Sequence, residues 1–492
     1  MTTFPTVAKN FFSLFFSNVV QGGLQIIFIA LFARHVGAIG FGQYSYALSI
    51  VLLFNVLVNY GFDSFLVREI AKEKERATEL VGKSLLIKGI LAILVTASLG
   101  AYFQFQVTEG QPEMFLLVII LAFATFVETF SNSFTSLFRA FERMELEAAA
   151  NIVAAIIYVG AGVGVILFNG TLHQIVLALC FAPVVKIALV SCLCRKKFPV
   201  GAISKYLFLD WTVLKSASVF AVLGGIGIVY SNADRIILGR YLGYEAVGYY
   251  SSAYKVITLV ITIPMLSSAA IYPVVSRSFA SSEAKAAETY SKSYRWLLMV
   301  GALVGFLIYL LGGELINLLY GPDFSTAGMM LKILSPFVAW QFPNYINGQT
   351  MTAIGKERLF SVTYGLATAL NIGLNFWLIP RVGYMGVCYS AMIPTAVGFI
   401  FYSWYCHRQF RISYDFGLIS KVVFALFILV FLSFFVHPFG KVGLWSYGVL
   451  SPLLYLMMLG LFRTFSHEDR ETLKQVVAST IFSFRKLTFK QT

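Results

Sequence analysis

The chain has 492 residues, 58% of them hydrophobic and 12% charged, with a formal net charge of +14. An ordinary soluble domain carries about 25% charged residues, so this composition excludes one and calls for an integral membrane protein. Lys and Arg fall in short clusters between apolar runs, which excludes a nucleic-acid-binding face. All five Cys lie in or beside those runs, which speaks against a disulfide framework or a zinc site.

Apolar runs of about 20 residues read as membrane-spanning helices. In chain order they cover 11–33, 41–62, 85–106, 114–137, 148–168, 172–194, 216–239, 246–271, 296–319, 329–352, 360–379, 384–405, 417–437 and 442–462, about fourteen helices in all. The first is too long for the apolar core of a signal peptide, so it is expected to stay in the protein. The longest segments between spans are 63–84, 195–215, 272–295 and the tail from Arg463. In 63–84, Glu69, Lys72, Glu73 and Arg76 have the spacing of helical ion pairs. The tail places Leu473, Val476, Val477, Ile481 and Phe484 on one helical face, which predicts an amphipathic helix on the inner leaflet.

With the N-terminus inside, about 29 Lys and Arg lie on the cytoplasmic side and six outside: Arg34, Arg235, Arg240, Lys332, Arg381 and Lys441. Two remain within spans, Lys186 and Lys255. The positive-inside rule then predicts a multi-pass protein of the cytoplasmic membrane with both termini in the cytoplasm.

One stretch of the chain is used twice. The run from Arg34 to Ala47 aligns without a gap on the run from Arg240 to Ala253, matching at Arg34/Arg240, Gly37/Gly243, Gly42/Gly248, Tyr44/Tyr250, Ser45/Ser251 and Ala47/Ala253. In both copies a long apolar run ends at the Arg, a glycine-bearing turn follows, and a second run begins. The copies start at helices 1 and 7, an even separation that preserves topology, so helices 1–6 and 7–12 are expected to be parallel repeats. The expected organisation is an N-terminal six-helix lobe over 1–210, a C-terminal one over 211–411, appended helices 13 and 14 over 412–462, and the cytoplasmic tail over 463–492.

Charges inside a bilayer cost about 2.5–3.5 kcal/mol on insertion scales, so they face a partner or a wet cavity. In helix 7, Ser231, Asp234 and Arg235 recur at helical spacing, and in helix 1 Asn18, Gln21 and Gln25 form a second polar stripe. Two such stripes on symmetry-related helices are expected to face each other across water. Arg235 adjoins Asp234 and is expected to hold it ionised. Lys255 lies near the middle of helix 8 with no carboxylate close in sequence, which makes it a candidate anchor for an anion. Asp234 and Glu128 are the carboxylates well within spans and the candidates for ion coupling. No nucleotide-binding Gly-x4-Gly-Lys-[Ser/Thr] occurs, nor a zinc-protease or nucleophile-elbow motif, so neither an ATP-driven motor nor an enzyme is expected, and no cofactor.

The paired Arg-x-x-Gly-x4-Gly-x-Tyr-Ser-x-Ala hairpins resemble the polysaccharide-transporter branch of the multidrug/oligosaccharidyl-lipid/polysaccharide exporter superfamily. The segment Asn232-Ala-Asp-Arg-Ile-Ile-Leu-Gly-Arg-Tyr-Leu-Gly243, followed by Ala246-Val-Gly-Tyr-Tyr250, is very similar to that family's signature. The resemblance implies an all-α, MATE-like membrane fold, with two parallel six-helix repeats around a central cavity plus two appended helices. It also implies a flippase that carries undecaprenyl-pyrophosphate-linked oligosaccharide to the outer leaflet by alternating access. Its implied partners are that lipid-linked substrate, membrane lipids and the polymerase and chain-length machinery of polysaccharide assembly. Arg34, Arg235, Arg240 and Lys255 would then attract the pyrophosphate, and Tyr230, Tyr250 and Tyr254 would stack on sugar rings. A lipid II flippase is the alternative within the superfamily. A multidrug exporter is a second, but its cationic substrates call for a carboxylate-dominated cavity, and this chain has more intramembrane cations than anions.

Overall fold

The computed structural model describes residues 4–106, 112–198, 201, 203–412 and 415–464. Among them there are fourteen α-helices and no strands. These are α1 (Phe4–Asn59), α2 (Phe62–Lys72), α3 (Ala77–Gln106), α4 (Pro112–Ala140), α5 (Met144–Leu167), α6 (Leu172–Leu179) and α7 (Phe181–Lys197). They continue with α8 (Trp211–Ser281), α9 (Glu283–Tyr320), α10 (Ser325–Ala353), α11 (Glu357–Val382), α12 (Tyr384–Gln409), α13 (Phe416–Val436) and α14 (Gly440–Leu461). The amphipathic face expected from Leu473 to Phe484 lies outside the described residues.

Eleven stretches among the described residues are long and apolar enough to cross a membrane. Two of them exceed one crossing: Phe12–Lys72 has 61 residues and Gly224–Ser268 has 45, against the roughly 20 that span the hydrocarbon core. A glycine bends the long helix of each, and the first stretch turns again at Tyr60 and Gly61, between α1 and α2. Gly37 has φ 69° and ψ 178° inside α1, and Gly243 has φ 80° and ψ 179° inside α8. Side chains exclude other residues from that backbone region. These are paired positions of the repeat, so the duplicated sequence makes a duplicated bend. α1 and α8 each supply two crossings, and α10, with 29 residues, has the length for a further one.

The two bends meet reciprocally. A Cβ added to Gly42 would strike the carbonyl oxygen of Tyr244, and one added to Gly248 would strike that of Ala38. Ala38 and Tyr244 are themselves equivalent positions of the repeat. The seam continues along both helices: Gly239 lies against the ring of Tyr46, Gly225 against Val56, and Gly61 against the backbone of Phe220 and Ala221. Small residues permit this close approach in lipid, where packing rather than water holds helices together. Gly42→Ala is expected to lower thermal stability in detergent by about 1–3 kcal/mol through overpacking. Gly23→Ala, where an added Cβ meets nothing within 4 Å, should not; equal melting midpoints for the two variants would refute the seam.

The span read over 172–194 is one apolar stretch, Leu172–Lys197, whose helix loosens at Cys180 while the backbone there stays helical, at φ −63° and ψ −20°. Pro183 has no N–H to give the Leu179 carbonyl. Thr171 starts α6 with a capping box shared with Gln174. The expected ion pairs of 63–84 form, Lys72 with Glu69 at 2.8 Å and Arg76 with Glu73 at 3.4 Å. Lys83 donates to Asp210 at 2.8 Å. That bond and two from Thr212 hold the Asp210 carboxyl well below the usual carboxylate range, against the opposing effect of burial.

Among the described residues the chain forms two compact units, one from Met1–Leu259, Leu315–Met330 and Arg358–Thr395, the other from Val260–Glu314, Leu331–Glu357 and the chain from Ala396. In the first, Phe62, Leu66 and Ile70 of α2 pack with Leu80 and Val81 of α3, Leu137 and Phe138 of α4 and Val190 of α7. In the second, Met299, Phe306 and Leu310 of α9 pack with Leu418, Val422 and Leu429 of α13 and Tyr447 and Tyr455 of α14. The other face of α13 leaves Phe424, Phe427, Phe431 and Phe434 exposed, as a helix against lipid tails does.

Lys88 is a further cation within a span, besides Lys186, Arg235 and Lys255. Lys88 is fully buried. Its ammonium donates to Asp63 Oδ1 at 2.8 Å, Ser133 Oγ at 2.9 Å and the Thr129 carbonyl at 3.0 Å. Three donors thus meet three acceptors. Lys88→Met would leave the Asp63 carboxylate, 23% exposed, without its partner. The expected cost is about 3 kcal/mol, the low end for a broken buried pair. Denaturant or thermal unfolding checks it, and a loss below about 1 kcal/mol would mean that water already screens the pair.

Candidate functional site

The fold splits the polar stripe of helix 7. Asp234 is 6% exposed. Its Oδ2 accepts from the Tyr250 hydroxyl at 2.7 Å and its Oδ1 from Asn375 Nδ2 at 2.6 Å. Asn375 Nδ2 lies 3.3 Å from Asn371 Oδ1, and Asn371 Nδ2 donates to the Ser390 carbonyl at 3.0 Å. Both asparagines are fully buried, and Asn375 Oδ1 has no hydrogen-bond partner among the described residues. α8 therefore brings the carboxylate, and α11 and α12 close the cage around it.

Arg235, expected as the counter-ion of Asp234, points elsewhere, because neighbours on a helix diverge by about 100°. Its Nε donates to Ser251 Oγ at 3.1 Å and its Nη1 to the Ser231 carbonyl at 2.7 Å. The guanidinium lies 5.7 Å from the ring centroid of Tyr254 and 6.0 Å from that of Tyr250, within cation–π range. The direct partners of Asp234 are thus neutral donors.

The stripe of helix 1 leads to a different place. A cavity of about 420 Å³ lies among α1, α4, α5, α6 and α7, lined by Gln21, Gln25, Asn55, Glu128, Asn151 and Lys186 among others. Lys186, 7% exposed, donates to Glu128 Oε1, so the two charges expected on separate helices form one ion pair in the cavity wall. Tyr44 and Tyr158, their hydroxyls 3.3 Å apart, also line it. Asn18, from the same stripe, is exposed outside this lining.

The remaining candidates scatter. Arg34 donates to the carbonyls of Leu318 and Leu319 at the end of α9, where a cation satisfies orphan acceptors and the helix dipole. Arg240 and Ser231 are exposed. Tyr230 packs on Tyr364 at 5.4 Å between ring centroids. Tyr250 is 1% exposed and gives its hydroxyl to Asp234, so it offers no face to a sugar; Tyr254, beside it at 5.4 Å, is half-buried. Lys255 is half-buried and has neither ion pair nor hydrogen bond among the described residues. Asn371, Asn375, Asn55 and Asn151 escaped the sequence reading. The i, i+4 pair Asn371 and Asn375 within an apolar run was a visible signal.

Residues 7–279 match the family described as "Polysaccharide biosynthesis protein", a stretch that takes in both hairpins. Residues 226–377 also match the family described as "MatE". The chain is 22% identical over 424 residues to a Haloferax volcanii protein called "Probable low-salt glycan biosynthesis flippase Agl15", covering 84% of this chain and 86% of that one. It is 18% identical over 427 residues to the "Putative O-antigen transporter" of Shigella flexneri, covering 82% and 98%. Among solved structures, the lipid II flippase MurJ in an inward closed conformation aligns with a TM-score of 0.72 at 12% identity, covering 92% of this chain and 98% of that one, a likeness of fold alone. Matched over more than half its length, with both bends inside the match, the chain belongs to the polysaccharide biosynthesis protein family and has its all-helical, MATE-like membrane fold.

Proposed function

We propose that the protein is a flippase that moves undecaprenyl-pyrophosphate-linked oligosaccharide across the cytoplasmic membrane for the assembly of surface polysaccharide such as O-antigen, exopolysaccharide or capsule. The observation that carries this reading is the charge balance inside the spans. Glu128 is neutralised by Lys186 and Asp63 by Lys88, and Asp234 is enclosed by neutral groups. Arg235 and Lys255 are left half-buried with no carboxylate in ion-pair contact among the described residues. Such cations select an anionic headgroup such as pyrophosphate; a carrier of cationic drugs needs the reverse.

The duplicated bends at Gly37 and Gly243, joined by the glycine seam, supply the symmetric joint that alternating access requires. Asp234 is the coupling site, because a buried carboxylate with an orphan Asn375 Oδ1 beside it has room in its hydrogen bonding for a proton or a small cation. The asymmetry of Lys and Arg sets both termini in the cytoplasm. The flipped product passes to the polymerase and chain-length machinery.

The test is reconstitution into liposomes with a labelled lipid-linked oligosaccharide on one leaflet. The label is expected to become accessible from the other leaflet well above the rate of protein-free vesicles. Equal rates would overturn the reading.

A further inference from the structure

We infer that the cavity between α1, α4, α5 and α7 is the seat of a neutral sugar residue of the transported glycan, apart from the cations that take its pyrophosphate. The inference rests on the flippase reading and adds where and how the sugar is held.

The cavity measures about 420 Å³, within the range of about 300–1,000 Å³ typical of small-molecule sites. Its wall is unusual for a helix bundle in lipid. Five carboxamides line it, from Gln21, Gln25, Asn55, Asn132 and Asn151. Two are engaged by the protein: Gln21 Nε2 donates to Ser17, and Asn55 Oδ1 accepts from Thr129 at 2.8 Å. The side-chain amides of Gln25, Asn132 and Asn151 have no hydrogen-bond partner among the described residues. Each offers one acceptor and two donor hydrogens to whatever fills the space.

Amides that open on an accessible cavity can exchange water for a ligand rich in both donors and acceptors. Sugar hydroxyls are such groups. A carboxamide matches a vicinal pair of hydroxyls, and a tyrosine ring fits the C–H face of the pyranose. Charge sets the rest. Lys186 and Glu128 cancel within the wall, so the site carries no net cation for a phosphate. Glu128, with its side chain 40% exposed, keeps its second oxygen for a hydroxyl.

The experiment compares two probes on the full chain in nanodiscs: undecaprenyl diphosphate alone, and undecaprenyl diphosphate bearing one N-acetylhexosamine. The readout is the ratio of their affinities, which cancels any misfolded fraction. The wild type is expected to prefer the glycosylated lipid by about tenfold, the worth of one or two net hydrogen bonds. The double variant Gln25→Leu, Asn151→Leu should bring the ratio near one and leave the bare lipid bound as before. A ratio kept in the double variant, or a wild type that does not discriminate, overturns the inference while the flippase reading stands. A wild type that binds neither lipid overturns the flippase reading itself, and the sugar seat with it.

Discussion

Asp234→Asn is expected to abolish the dependence of flipping on an ion gradient while the lipid-linked substrate still binds. Asparagine fills the volume of aspartate: its Oδ1 can still accept from Asn375 Nδ2, now at 2.6 Å, while its Nδ2 donates to the Tyr250 oxygen, reversing the bond now at 2.7 Å. What it removes is the charge. One elementary charge moved through 100 mV is worth about 2.3 kcal/mol, roughly a fiftyfold bias in accumulation. In proteoliposomes, the ratio of transport with and without an imposed proton or sodium gradient should therefore collapse to one in the variant. Tyr250→Phe, which deletes a hydrogen bond but keeps the carboxylate, should retain a ratio above one. A wild type that flips equally with and without either gradient would refute coupling, and Asp234 would then be the hub that ties α8 to α11.

Lys255→Ala should reduce transport by at least about thirtyfold, since truncating one partner of a buried charged contact costs about 2 kcal/mol or more. Protein level and melting temperature should stay close to wild type. The structure gives the reason: Lys255 has neither ion pair nor hydrogen bond among the described residues, so its removal orphans no buried group. Lys255→Arg, which keeps the charge but changes its shape, should restore part of the activity. Normal transport by the alanine variant would remove Lys255 from the substrate path, and loss of folded protein would make it a packing residue.

The features legible in the sequence were the ones set within a few dozen residues. Apolar run length fixed the spans, because backbone groups in lipid must bond within their own helix. The two bends were legible for a similar reason: Gly37 and Gly243 sit at matched positions, and each backbone needs a positive φ that glycine alone takes without strain. The ion pairs of 63–84 followed from i, i+3 spacing. Even the family was carried by about 40 residues of local pattern around the second hairpin.

Partners across the chain were decided elsewhere. Nothing near Asp234 in sequence announces Asn375, 141 residues away, and the adjacent Arg235 was a misleading neighbour, because a helix turns consecutive side chains apart. Lys88 sat inside a recognised span, yet only the approach of Asp63 and Ser133 shows it to be buried and matched rather than marginal. Gln21 and Gln25 were visible as a polar stripe, but it took α4, α5 and α7 to close a cavity over them. The sequence by itself determined the membrane class, the spans, the repeat and its bends, all consequences of local hydrophobicity and backbone sterics. Tertiary structure alone decided which charges are paired with one another and which are not, because that depends on distances between helices far apart in the chain.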